Sequence, residues 1–243
     1  MKKFLICLLA CLMILAMVGC SADKSGSSNT PTTPNSNNST PSTPSSPSSP
    51  SSEPTDPSQP ATSEDLSLGV TTGTKYESEF IGVGFNLPEN WVFYSEDEIK
   101  QLNNLTADLA GQEYLDLLKN ATVIYDMMAT SPSQTDNIVV NLEKVSNVLL
   151  NKLDLASNFE ASFAMVKSSL ENMGYRDITK EITTVTIDGE TFTAMHLTAS
   201  FSGLTMHQTS IAIKCNGYLA SVAVTTFDEA GTAPLLENLY LVK

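Results

Sequence analysis

The stretch ITTVTIDGETFTAMHLTASFSGLTMHQTSIAIKCNGYLASVAVTT, residues 182–226, decides the fold. Two turn signals in it, Asp188-Gly189 and Asn216-Gly217, are dipeptides that favour the type I′ turns of two-residue β-hairpins. A third turn falls near Ser202-Gly203. The runs between these turns are rich in β-branched and apolar residues, which is typical of strands. They predict a C-terminal meander of four antiparallel strands: Ile182–Ile187, Glu190–Ser200, Leu204–Cys215 and Tyr218–Thr226.

The chain before the meander contains one strongly amphipathic segment, Leu155–Met173. Its apolar residues recur at intervals of three and four, which places them on one face of a helix. They are Leu155, Phe159, Phe163, Val166, Leu170 and Met173. Gly174 follows at the position that favours a left-handed C-terminal cap. The polar face has no cluster of basic residues, so we expect this helix to pack on a sheet and not on a membrane.

Two strands are predicted upstream of this helix, at Val123–Ala129 and Asn137–Val145. In the second, apolar and polar residues alternate, as in a strand with two different faces. In the first, Val123, Tyr125 and Met127 are expected to share one face. The methionines of this strand are therefore interpreted as core residues and not as ligands for a soft metal.

The beginning of the domain is predicted to alternate between short strands and short helices. The segment 76–87 indicates a pair of strands, and residues 91–94 indicate another. Ser95 and Glu98 form the pattern of a capping box at the start of a helix, which should end near Asn103. Further helices are expected at residues 112–119 and 232–240. Together these elements predict an α+β domain in which helices cover an antiparallel sheet.

The segment Gly84–Trp91, followed by the capped helix, resembles the strand-Pro-x-x-Trp-helix opening of the PsbP-like fold. That group includes extrinsic subunits of photosystem II, a nuclear-import factor that binds the GTPase Ran, and exported bacterial proteins of unknown role. The resemblance implies an α/β/α sandwich around an antiparallel sheet. It implies no activity, because the same fold supports unrelated functions.

The N-terminus has the pattern of a secretory signal. Lys2 and Lys3 precede an apolar run, Phe4–Gly19, which is marginal in length for a membrane span. Residues 17–20, Met-Val-Gly-Cys, resemble a bacterial lipobox. The resemblance implies cleavage after Gly19 and lipidation of Cys20, with palmitate among the acyl chains and the protein held at the extracytoplasmic face of the cell membrane. The alternative is an uncleaved signal anchor.

Residues 21–74 have the composition of a disordered linker. Nine of the twelve prolines lie between Pro31 and Pro60, among Ser, Thr and Asn residues. Such a chain buries too little apolar area to offset the entropy of ordering. We therefore divide the chain into a signal peptide (1–19), a lipidated cysteine with a linker (20–74), and one domain (75–243).

Charge and cysteine content exclude some classes of function. Ten basic and twenty-two acidic residues from Lys75 onward give the domain a net charge of −12, so a basic footprint for nucleic acid is missing. Four cysteines occur, and only Cys215 lies in the domain, which excludes an internal disulfide there. It is interpreted as a small buried hydrophobic residue beside a turn.

No metalloprotease, phosphate-loop, hydrolase or dinucleotide motif is present, and no cofactor is predicted. His196 and His207 are diagonal neighbours on one sheet face if the turn centres on Ser202-Gly203, so they are weak candidates for a metal site. Trp91 is expected to anchor the core, although it could also stack on a ligand.

Three classes of function remain open. The first is a non-enzymatic protein-binding or adaptor module with a partner in the cell envelope. The second is a solute- or metal-binding lipoprotein that serves a transporter, whose ligand the sequence does not identify. The third is a hydrolase. Of these classes we favour the first, and we therefore predict that the protein is not an enzyme.

Overall fold

The computed structural model describes residues 66–105 and 111–242. In the order of the chain, the strands are β1 (Val70–Thr72), β2 (Lys75–Ser78), β3 (Val83–Asn86), β4 (Val92–Phe93), β5 (Val123–Thr130), β6 (Asn137–Lys144), β7 (Arg176–Ile187), β8 (Glu190–Phe201), β9 (Leu204–Cys215), β10 (Tyr218–Thr226) and β11 (Leu239–Leu241). The helices are α1 (Glu96–Leu102), α2 (Gly111–Leu118), α3 (Asn147–Lys152), α4 (Leu155–Asn172) and α5 (Ala233–Leu236).

The strands form two antiparallel sheets. The larger has seven strands in the order β4-β5-β6-β10-β9-β8-β7, and the smaller has four in the order β1-β2-β3-β11. Strands β7 to β10 are the four-stranded meander, and β6 pairs with the far side of β10. The predicted α+β class, the antiparallel sheet and the C-terminal meander are confirmed.

Different layers cover the two faces of the seven-stranded sheet. On the face that we call the apolar face, Tyr76 and Phe85 of the smaller sheet lie in one buried cluster with Val140 and Leu142 of β6. On the opposite face, which we call the helix face, Phe159 of α4 packs in a cluster with residues of β8, β9 and β10. The second sheet in the outer layer was not predicted from the sequence, and it is the element that positions the site described below.

Local capping explains where the first and the longest helices begin. The Ser95 hydroxyl accepts from the Glu98 amide at 3.4 Å, and Glu98 Oε2 accepts from the Ser95 amide at 2.8 Å, which is the predicted capping box. Asp154 caps α4 by accepting from the Ser157 amide at 2.8 Å. Gly174 takes a φ of +95° after α4, as its position predicts.

The end of the chain differs from the prediction. The expected helix over residues 232–240 is wrong beyond Leu236, because Leu239–Leu241 forms β11 and pairs with β3. Tyr240 lies opposite Gly84, where an added Cβ would stand 2.5 Å from the tyrosine ring. A long-range pairing has therefore overridden the local helical preference of this segment.

One of the predicted turns has a different backbone. Asp188 and Gly189 both take positive φ values, of 47° and 88°, as a type I′ turn requires. At Asn216-Gly217 only the glycine does, with a φ of 75°. Here Asn147 of α3 intervenes: its Oδ1 accepts from the Gly217 amide at 2.7 Å, and its Nδ2 donates to Asn216 Oδ1 at 3.1 Å.

Part of the segment assigned to the linker belongs to the fold. Leu66 lies in the main core cluster and Val70–Thr72 forms β1, although both precede the predicted boundary at residues 74–75. The predicted signal peptide (1–19) and lipidation site Cys20 lie outside the described residues, as does the linker up to residue 65. Within the described ranges, no helix combines the length and the apolar character needed to span a membrane.

Candidate binding groove

A β-bulge in β5 creates the most unusual polar group of the described chain. Tyr125 pairs with Asn141 and Met127 pairs with Val140, so Asp126 is an extra residue with no partner across the ladder. Because of this extra residue, Tyr125 and Met127 lie on opposite faces of the sheet. The prediction that Val123, Tyr125 and Met127 share a face is therefore wrong beyond Tyr125.

The Asp126 carboxylate joins the two sheets. Its Oδ1 accepts a hydrogen bond from the Gly69 amide at 2.9 Å, and its Oδ2 accepts from the same amide at 3.1 Å. Oδ2 also accepts from the Tyr76 hydroxyl at 2.7 Å. The beginning of the smaller sheet is thus fastened to β5 by a buried, charge-assisted hydrogen-bond cluster.

Burial dominates the electrostatics of this cluster. Asp126 is only 8% exposed, and burial raises the pKa of its carboxyl group to about 6, against the lowering effect of the hydrogen bonds from Tyr76 and Gly69. Burial also raises the pKa of Tyr76 well above its ordinary value, and the charge of Asp126 adds to the increase. At neutral pH, therefore, Asp126 is mainly ionised and Tyr76 is a hydrogen-bond donor.

Asp126 lies at one end of a groove between the edges of the two sheets. It lines a pocket of about 310 Å³, which we call the Asp126 pocket, together with Gly69 and Thr71 near β1, Tyr94, and Tyr114 of α2. A second pocket of about 390 Å³ shares Thr71 and Tyr94 with the first and is lined by Trp91 and Phe93 around β4. We call these two adjoining pockets the β1–β4 groove.

The groove follows two strand edges. β1 pairs only with β2, and β4 pairs only with β5, among the strands of residues 66–105 and 111–242. Val70 of β1 and Val92 of β4 are 65% and 57% exposed. Unpaired edges flanked by aromatic side chains are able to add an extended polypeptide segment.

Lys100 of α1 provides the basic charge near the Asp126 pocket. Its Nζ atom pairs with Glu96 Oε1 at 2.8 Å and lies 5.6 Å from the centroid of the Tyr114 ring. Glu96 lines the pocket, so the acidic rim of the pocket is balanced by this ion pair. Asp126 accepts its hydrogen bonds from uncharged groups, the Gly69 amide and the Tyr76 hydroxyl.

The two histidines lie together, as the turn predicted. His207 is opposite Thr198 and His196 is opposite Thr209, with the two imidazole rings stacked at 5.9 Å between centroids. His196 Nδ1 is 3.0 Å from the Thr209 hydroxyl. Burial, then the charge of His207, lowers the pKa of His196. No group of three or more His, Cys, Asp or Glu side chains suited to a metal occurs in the described residues.

Cys215 and Trp91 also have defined environments. Cys215 is opposite Tyr218, as predicted, and is buried with its Sγ 3.7 Å from the Ile213 carbonyl oxygen. Burial raises the pKa of its thiol to about 12, so it is not a thiolate nucleophile at neutral pH. Trp91 is half-buried against the core, which agrees with the role of a core anchor, and it also lines the groove.

Sequence reasoning did not identify Asp126 as a functional residue. The available signal was a single carboxylate within the otherwise apolar run Ile-Tyr-Asp-Met-Met, residues 124–128. A lone charge in such a strand indicates either a bulge or a buried polar site. Its partners, Gly69 and Tyr76, are 57 and 50 residues away, and no local pattern connects them.

Comparisons with known proteins leave the family open. No family model matches the chain, and no curated protein matches it. Among solved structures, a protein of Bacteroides thetaiotaomicron is 12% identical with a TM-score of 0.35, covering 71% of this chain and 50% of the other. LpqN of Mycobacterium tuberculosis, described as involved in cell envelope biogenesis, is 14% identical with a TM-score of 0.34, covering 66% and 83%.

A third structure, the protein of unknown function PA94 of Pseudomonas aeruginosa, is 10% identical with a TM-score of 0.23 and covers 40% and 63%. This chain therefore spans half the length of the Bacteroides protein. Similarities at these scores carry no argument about function, so the lipobox and the PsbP-like resemblance remain sequence predictions.

Proposed function

We propose that this protein is a cell-envelope lipoprotein that displays a non-enzymatic, protein-binding domain on a flexible stalk. Lipidation of Cys20 holds it at the extracytoplasmic face of the membrane. The linker that follows separates the domain from the membrane, because a flexible chain of this length averages about 40 Å from end to end. The domain binds its envelope partner through the β1–β4 groove.

The observation that carries this proposal is the course of the groove along two strand edges. An extended segment of a partner can hydrogen-bond to the main chain of an edge strand, which supplies affinity with little dependence on sequence. Trp91 and Phe93 offer the large aromatic area that commonly anchors protein interfaces. The other groove residues, including Asp126, then determine which segment is accepted.

Site-specific crosslinking in intact cells tests the proposal. A photo-crosslinking amino acid replaces Val92 at the groove, and the matched control carries it at Val148 of α3, which is 69% exposed and outside the groove. We expect a discrete crosslinked product from position 92 that disappears when Trp91→Ala is added, and none from position 148. If position 92 gives no product beyond the position 148 control, the domain does not bind protein at this groove.

The anchor has its own test. Cys20→Ala removes the thiol that would receive the diacylglyceryl group and should release the processed chain from the membrane fraction. Labelling with a palmitate analogue should be lost at the same time. If the Cys20→Ala variant keeps its N-terminus and stays in the membrane fraction, the uncleaved signal anchor is the correct interpretation.

A solute-binding lipoprotein that serves a transporter is the second candidate, and the volume of the Asp126 pocket favours it. About 310 Å³ is within the range of small-molecule sites, and the pocket combines apolar walls with a few polar groups. A thermal-shift screen with metabolites and with Zn²⁺ tests it, because a ligand at 100 times its Kd stabilises the folded state by about 2.7 kcal/mol. A flat screen would eliminate this candidate.

A further inference from the structure

We propose that the β1–β4 groove takes an extended peptide segment whose lysine or arginine side chain enters the Asp126 pocket. The inference rests on the proposed protein-binding function and adds the chemistry of the partner. Its evidence is the hydrogen-bonding capacity of Asp126, the aromatic walls of the pocket and the charge of the domain.

Asp126 retains capacity for a further hydrogen bond. Its Oδ2 accepts from both Tyr76 and Gly69, whereas within residues 66–105 and 111–242 its Oδ1 accepts only from Gly69. Each carboxylate oxygen has two lone pairs, so Oδ1 can accept from a donor that enters the pocket. A cation that reaches this largely desolvated carboxylate interacts with it much more strongly than it would with a surface carboxylate.

The walls of the pocket suit a long basic side chain. Tyr94 and Tyr114 contribute aromatic rings, and Leu68 and Ile99 contribute aliphatic surface. A lysine or arginine side chain buries its methylene groups against such surface and places its charged end on the aromatic faces or the carboxylate. The position of Lys100 over the Tyr114 ring shows the same ring engaging a cation from within the chain.

The negative charge of the domain disfavours an acidic partner. The net charge of −12 from Lys75 onward repels an acidic segment and attracts a basic one. Lys100 pairs with Glu96 at 2.8 Å and, more weakly, with Asp97 at 3.9 Å. A negatively charged side chain that entered the pocket would lie beside both Asp126 and Glu96.

Peptides that differ in one side chain test the inference. The probes are blocked pentapeptides of sequence Thr-Val-Xaa-Val-Thr, in which Xaa is lysine, arginine, glutamate or norleucine; norleucine has the aliphatic stem of lysine without its charge. Binding is measured by calorimetry to the chain from residue 20, made with Cys20→Ala. We expect the lysine and arginine peptides to bind at least tenfold more tightly than the norleucine peptide, and the glutamate peptide to bind least.

Two variants and a salt series separate this inference from the proposed function. Asp126→Asn should lower the affinity for the lysine peptide to that for the norleucine peptide. The affinity for the norleucine peptide should not change, which also shows that the groove of the variant is still folded. Glu190→Gln, at the exposed first residue of β8, is the charge-matched control and should change the affinity for neither peptide. Raising the salt concentration should weaken binding of the lysine peptide more than binding of the norleucine peptide.

Equal affinities for the lysine and norleucine peptides would overturn the inference, as would binding of none of the peptides. In either case a crosslink from Val92 would show that the protein-binding function survives with a partner of different chemistry. Loss of that crosslink would remove the proposed function itself.

Discussion

The two sides of strand β6 are buried to a similar extent and have opposite chemistry. Ile138, Val140 and Leu142 point to the apolar face and are 0–2% exposed. Asn137, Asn141 and Glu143 point to the helix face and are 1–7% exposed. One strand therefore faces an apolar core on one side and, on the other side, a buried polar strip that Val139 interrupts.

The polar strip differs from the core in how well its groups are satisfied. Asn137, Asn141, Glu143 and the neighbouring Ser221 of β10 each have a buried side-chain atom without a hydrogen-bond partner among the described residues. Each such atom costs about 1–3 kcal/mol, whereas burial of a large apolar side chain contributes about 1.5–3 kcal/mol. Asp126 is equally buried, but its oxygens are hydrogen-bonded. Among the described residues, the buried polar group at the groove is thus hydrogen-bonded, whereas several buried polar atoms on the helix face have no protein partner.

The largest effect is expected from the apolar face. Leu142→Ala should destabilise the fold by about 2–5 kcal/mol, because it removes apolar area and leaves a cavity in the main core. Urea unfolding of the Cys20→Ala chain measures it. Asn141→Ala, one residue earlier on the opposite face, is the control and should cost much less. Equal losses at the two positions would show that the faces do not differ energetically.

The next largest loss of stability is expected at the hydrogen-bonded cluster of Asp126, Tyr76 and Gly69. Gly69→Ala should cost about 1–3 kcal/mol, because its Cβ would lie 2.2 Å from the ring of the fully buried Tyr76. The same urea titration measures this loss. In the double variant with Tyr76→Leu, the loss should be smaller than the sum of the two single losses, since the leucine side chain leaves space for the methyl group. Additive losses in the double variant would rule out this contact as the cause.

The polar strip should make stability depend on pH. Burial raises the pKa of Glu143 from 4.5 to about 7, so the folded state favours the protonated form. The contribution of protonated Glu143 to the stability of the fold is complete below about pH 4.5 and is lost as the pH rises through about 7. Glu143→Gln should therefore match the parent at pH 5 and exceed its stability at pH 8 by about 1–2 kcal/mol. Parallel pH profiles for the two chains would contradict the assignment.

The smallest change is expected where an unpartnered amide is removed. Asn141→Leu replaces a buried polar side chain by an apolar one of similar shape, so it should raise the unfolding free energy by about 1 kcal/mol. The melting temperature measures it, and Asn151→Leu, at an exposed position of α3, is a control outside the buried strip. A loss of stability at residue 141 would reveal a hydrogen-bond partner for this amide in the native molecule.

Much of the fold was predictable because short-range signals define it. The turn at Ser202-Gly203 sets the register of β8 and β9, and this register correctly predicted that His196 and His207 would be diagonal neighbours on one sheet face. The capping box and Gly174 bounded two helices for the same reason: each involves hydrogen bonds or backbone angles within a few residues.

The candidate site was less predictable because its residues are distant in sequence. Alternation in β5 indicated a common face for Tyr125 and Met127, but the bulge at Asp126 separated them. A bulge is stabilised by what its extra residue contacts, and those contacts lie on β2 and just before β1. No periodicity within β5 carries that information.

The amino-acid sequence by itself determined the antiparallel meander, the register of β8 and β9, the ends of α1 and α4, and the prediction of a lipid anchor at Cys20, because each depends on neighbouring residues. Tertiary structure alone decided that β11 would be a strand, that both faces of β6 would be buried, and that Asp126 would join two sheets beside a groove. These features arise when segments that are not neighbours in the chain exclude water from one another, and only the packed chain defines which of the buried polar groups find hydrogen-bond partners.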